Sequence, residues 1–177
     1  FITSPDPTTL VIHATPRDGE PGHELFRAGR QFGVLGLDFA TRRRNRVNGV
    51  IEAADAGSSR LKVLQSFGNC PQYIQTRAVE SAPGSTVPAE PVTMDAPVVL
   101  AQIADADTFF VATASGAAVV DNGGVDISHR GGLPGFVKVV DGELIVPDFR
   151  GNRFFNTLGN LVADPRAALL FVDFDTG

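Results

Sequence analysis

The chain has 177 residues, enough for one ordinary domain or two small ones. Hydrophobic residues make up 43% and charged residues 20%, which supports a packed core and argues against global disorder. A formal net charge of -5 argues against nucleic acid or an anionic membrane as the main partner, yet leaves room for an anionic small molecule held by a local basic cluster.

Cys70 is the single cysteine, so no intramolecular disulfide can form. No apolar run approaches the roughly 20 residues of a membrane span, and no signal-peptide pattern is present. The expectation is a cytoplasmic protein with no membrane or nucleic-acid partner. The chain opens on Phe1-Ile2 without an initiator Met, as a trimmed, processed or incompletely represented chain would.

In chain order, Ser4-Pro5-Asp6-Pro7 is a turn signal, and the β-branched run 8–14 after it predicts a strand. Residues 15–22 form a Pro/Gly-rich loop, and 23–29 predict a short helix. Strands are expected over 31–39, 46–53 and 61–66, the last two separated by a turn at 55–58. Residues 81–91 are rich in Pro, Ser and Gly and lack periodicity, marking a linker, assigned to 81–95. Beyond it come a helix over 96–104 and strands over 108–114, 126–130 and 135–140. Asp141-Gly142 then signals a hairpin into 143–147. A helix over 154–163 ends before Asp164-Pro165, and 167–174 predicts a closing strand.

An internal repeat organises these elements. Phe1-Ile2 matches Phe136-Val137, Asp6 matches Asp141, and 38–41 matches 173–176, each pair 135 positions apart. The predicted strands between them fall in the same places. The first unit, 1–80, then represents the back portion of a β-rich fold, and the second, 96–177, the front portion. Either the missing portions belong to a longer protein, or the two halves complement each other within or between chains.

Four stretches carry candidate chemistry. Residues 128–138 combine glycines with His129, Arg130 and Lys138: either close backbone approach to an anion, or a Gly-rich connection with solvated charges. Residues 147–157 end a strand, turn through Arg150, Asn152 and Arg153, and open a helix at Asn156-Thr157. That is either a phosphate site at a helix N-terminus or an ordinary cap with a surface arginine. Residues 41–49 hold four arginines within five residues, either a phosphate grip or a charged strand edge that discourages aggregation. In 65–74, Cys70 has no metal-ligand partner and is either a small buried residue or a redox thiol. His13 and His23 show no ligand spacing.

At these residues the chain resembles the pyridoxamine 5'-phosphate oxidase-like proteins of the flavin-binding split β-barrel superfamily. The resemblance rests on 107–113, 128–138 and Gly151-Asn152-Arg153 through Asp164-Pro165-Arg166, with 42–49 and 67–74 from the first unit. It implies a mainly β fold with a few short helices, here a split barrel in two partial tandem copies. It also implies a homodimer with FMN at the subunit interface, and an oxidoreductase acting on a small-molecule substrate. The resemblance places Gly135, Phe136, Val137 and Lys138 on the flavin-lining strand, Asp148 and Phe149 at the next flavin contact, and Arg153, Asn156 and Thr157 at the phosphate. Asn156-Thr157 replaces the family's Arg-Lys pair, and the turn is about two residues longer. Lys138 or His129 fills the place of a cationic donor to the flavin's pyrimidine end. The alternative is a non-catalytic split-barrel module that binds flavin, deazaflavin or haem, or serves dimerisation.

Overall fold

The computed structural model describes residues 1–20, 22–80, 90–116, 124–151 and 153–175. Most of the expected linker, and the candidate Asn152, lie outside the described residues. The fold is mainly β. Its elements are β1 (Ile2–Asp6), β2 (Thr9–Ile12), a 3-10 turn (His23–Leu25), β3 (Gln31–Asp38), β4 (Arg43–Ala54) and β5 (Ser59–Gly68). These are followed by α1 (Pro97–Asp105), β6 (Thr108–Ala114), β7 (Val125–Gly131), β8 (Lys138–Val140), β9 (Glu143–Ile145), α2 (Asn156–Ala163) and β10 (Ala167–Phe171).

All strand pairs are antiparallel, and they form three sheets in the orders β1-β2-β5-β4-β3, β10-β6-β7 and β8-β9. No ladder joins these sheets into a closed barrel among the described residues. Alternating burial gives each half its own core. Phe32, Ile51 and Leu61 meet in the first, and Ile103, Phe109, Val111 and Val137 in the second. Phe109 stacks on Phe171 at 5.1 Å and on Phe136 at 5.8 Å, tying β6 to β10 and to the segment before β8.

Two expectations change in detail. The segment at Ser4-Pro5 is strand β1 rather than turn, and it is the outermost strand of its sheet, where a proline costs no ladder hydrogen bond. The helix expected over 23–29 contracts to one 3-10 turn between Gly22 (φ 87°) and Gly29 (φ 83°), which punctuate the segment. The Asp141-Gly142 hairpin is as expected, with both residues at positive φ (51° and 81°), as a type I' turn requires.

The offset of 135 carries β1, β2, the 3-10 turn and β3 onto β8, β9, α2 and β10 in order, to within a few residues. The halves also pack on one another. Gly33 of β3 lies against Val125 and Ile127 of β7, where an added Cβ would sit 3.6 Å from each side chain. Phe39 and Phe174, which share that offset, meet edge to face at 5.1 Å. The Arg77 guanidinium lies 3.9 Å above the Phe174 ring while bonding Asp107 at 2.5 Å. The two halves therefore pack against each other within the chain.

Candidate functional site

The inner face of β4 meets β7 along this junction. Strand periodicity points Arg44, Arg46 and Asn48 to one side, and burial follows it: Arg46 and Asn48 are buried and Arg44 half-buried, while Arg43 and Asn45 are exposed. Arg46 Nη1 donates to both carboxylate oxygens of Asp126, at 2.7 and 3.0 Å. Thr157 Oγ1 donates to Asp126 Oδ2 at 3.3 Å and lies 3.1 Å from Ser128 Oγ, so α2 is pinned to the same carboxylate. Arg46 also lies 5.5 Å from the Phe67 ring centre. This buried pair is the polar keystone of the junction.

Outside it opens a cavity of about 220 Å³. Arg46, Arg130, Arg150 and Arg153 reach its wall, with Asp148 as the acidic counterweight. Arg130 Nη1 lies 3.6 Å from Asp148 Oδ1. Phe149, Phe154 and Phe155 supply aromatic wall. The first turn of α2 (Asn156, Thr157, Leu158) lines the cavity and carries no side-chain cap, and the first amides of a helix have no intrahelical partners. Arg153 (φ 62°) and Phe155 (φ 54°) both hold left-handed backbone here, a conformation that non-glycine residues adopt at a cost and that clusters at ligand clamps.

A second, smaller cavity of about 70 Å³ shares Arg46, Ser128, Arg130, Phe149 and Gly151 with the first. Its inner wall is made by Arg44, Asn69, Cys70, Tyr73 and His129. The segment after β5 is held over it by Tyr73, whose hydroxyl donates to the Arg150 carbonyl at 3.0 Å and whose ring stacks on Phe149 at 5.1 Å. Gln75 adds a bond to the Gly132 carbonyl at 2.7 Å. Gly131 makes this closeness possible, because a Cβ there would overlap the Tyr73 carbonyl.

His129 is only 4% exposed. Burial first, then the charges of Arg44, Arg130 and Arg77, push it down from 6.5 to about 4, with Asp107 opposing. It is neutral at pH 7. Arg44 Nη1 lies 3.2 Å from His129 Nδ1, and a guanidinium can only donate, so Nδ1 accepts and the imidazole proton resides on Nε2. That Nε2–H has no partner. Burial, then the Arg46 charge, pull Arg44 below its ordinary value, while the Cys70 thiol opposes them. Arg44 remains cationic at neutral pH.

The structure gathers most of the sequence-predicted residues here. Arg130, Asp148, Phe149, Arg153, Asn156 and Thr157 line the larger cavity, and His129 and Phe136 the smaller. Gly135, Val137 and Lys138 line neither. Gly135 is a turn residue at φ 81°, Val137 is buried in the second core, and Lys138 is exposed on the β8–β9 hairpin. Arg44 and Arg46 fall in the candidate stretch 41–49, and Asn69 and Tyr73 in 65–74, without individual roles assigned there; the partner carboxylate Asp126 was not among the candidates. The period-2 placement of Arg44, Arg46 and Asn48 was the available signal, masked by arginines on both faces of the strand.

Comparison of the chain with family models, curated proteins and solved structures gives no match. No described helix is long and apolar enough to cross a membrane.

Proposed function

We propose that the joined cavities bind a phosphorylated flavin of the FMN type, within a split β-barrel assembled from the two halves of the chain. The observation that carries this reading is the convergence of Arg130 from β7, Arg153 from the turn, and Asn156 and Thr157 from the uncapped start of α2 on one aromatic-walled cavity. Cationic donors and free helix amides suit a phosphate. The rings of Phe149, Phe154 and Phe155 suit a flat heteroaromatic system. The packing of β7 on β3, and the shared order of hairpin, helix and strand in the two halves, support the barrel part of the proposal.

A bound flavin supplies one- and two-electron chemistry. In this reading the chain holds and orients it. Arg130 and Arg153 neutralise the phosphate, the start of α2 donates to it, and the Tyr73–Phe149 stack covers the junction of the two cavities. The protein is then an oxidoreductase acting on a small molecule, with the substrate unassigned.

The test is the absorbance of the purified protein and the mass of any released chromophore, followed by titration with FMN and with riboflavin. FMN binding at least about tenfold tighter than riboflavin is expected, because charge-assisted phosphate bonds contribute about 1.5–3 kcal/mol each. Arg153→Ala is expected to remove most of that preference, and Arg43→Ala on the exposed face of β4 to leave it intact. Equal affinity for the two flavins, or equal effects of the two substitutions, would overturn the phosphate assignment.

A further inference from the structure

The smaller cavity is built for an anion that the flavin phosphate does not supply. Arg44, Arg46 and Arg130 line it, beside His129 and Asn69. Arg46 has its charge answered by Asp126, whereas Arg44 makes no ion pair among the described residues. Arg44 is half-buried, and a guanidinium drawn partly out of water without a counter-ion is unfavourable.

We infer that this pocket is a carboxylate subsite, so that the small molecule taken up beside the larger cavity is an organic acid. An ionised carboxylate supplies the missing negative charge and two acceptor oxygens for a guanidinium. At about 70 Å³ the pocket suits a planar two-oxygen group, while the 220 Å³ cavity next door has room for a tetrahedral phosphate. The inference rests on the flavin reading only for the redox use of that acid; the binding site itself does not depend on it.

Cys70 lines the pocket and is the only cysteine in the chain, so it reports on the site directly. Flavin-free protein is alkylated with iodoacetate and, separately, with iodoacetamide. In each case the sulfur–carbon bond forms, the carbon–iodine bond breaks, iodide leaves and the thiol proton passes to solvent. The ratio of iodoacetate to iodoacetamide rates is expected to be at least about tenfold higher in the unaltered protein than in Arg44→Met, because the charged donors concentrate the carboxylate reagent beside the thiol. Acetate is expected to suppress the excess, and Arg43→Met to keep it. Equal ratios in the unaltered protein and a folded Arg44→Met would overturn the subsite. If Arg44→Met does not fold, acetate competition in the unaltered chain decides, and an excess indifferent to acetate overturns it. A protein that keeps the acetate-sensitive excess but holds no FMN overturns only the cofactor reading. One that holds FMN but shows no excess overturns only the subsite.

Discussion

Arg44 and Arg46 stand two residues apart on the same face of β4, and their surroundings differ in one respect. Arg46 is answered by a buried carboxylate that also receives Thr157, so charge, strand and helix lock together. Arg44 is answered by a neutral imidazole, which accepts one hydrogen bond and returns no charge. The first arrangement is a structural junction whose charge is balanced within the protein. The second leaves a guanidinium on the wall of the smaller cavity with no counter-charge among the described residues.

The largest effect that separates the two regions comes from Asp126→Ala. It strands the Arg46 guanidinium in a buried place and is expected to lower stability by about 3–5 kcal/mol in denaturant unfolding. Arg44→Met removes a cation that has no counter-charge, and the same measurement is expected to move by no more than about 1 kcal/mol, in either direction. A comparable loss in both variants would erase the distinction.

His129 gives the next effect. Its folded pKa, about 4, lies below the unfolded 6.5, so the unfolded chain binds the proton more readily. Its contribution to stability is therefore fully present above pH 6.5 and is lost as pH falls from 6.5 through about 4. The span corresponds to about 3 kcal/mol. Urea midpoints between pH 7 and 4 are expected to fall steeply in the unaltered chain and more gently in His129→Gln. Parallel slopes would mean that burial and the arginines around His129 do not hold it neutral.

The smallest effect is at the rim. The Arg130–Asp148 pair is 3.6 Å long and Asp148 is more than half exposed, so Asp148→Asn is expected to change stability by less than about 1 kcal/mol. Removing that carboxylate makes the larger cavity more positive. Tighter rather than weaker binding of a phosphorylated ligand is the expected sign, read by FMN titration.

Much of the fold is legible along the chain because it follows from local periodicity. Thr108–Ala114 is a short apolar run rich in aromatic and β-branched residues, and the sequence-based boundaries of that strand coincide with those of β6. Asp141-Gly142 announces its hairpin through the positive φ such residues tolerate. The candidate site is legible only in part. Arg153, Asn156 and Thr157 stand out as a turn running into a helix and do line the larger cavity. Lys138 stands out equally as a cation after a glycine-rich stretch, yet its strand belongs to a separate hairpin and it lines neither cavity.

By itself, the sequence determined a mainly β chain, most of its strands and turns, and an internal offset of 135 that relates two hairpin–helix–strand segments. Those features depend on neighbours within a few residues, or on simple self-comparison. Only the tertiary structure decided that the halves pack on one another, and that Arg46 meets Asp126 while Arg44 meets His129. Those partners lie 80 and 85 residues apart, and an arginine's role is set by whether a carboxylate or a neutral ring is brought to it across that distance. Charge pattern along the chain carries no record of that choice.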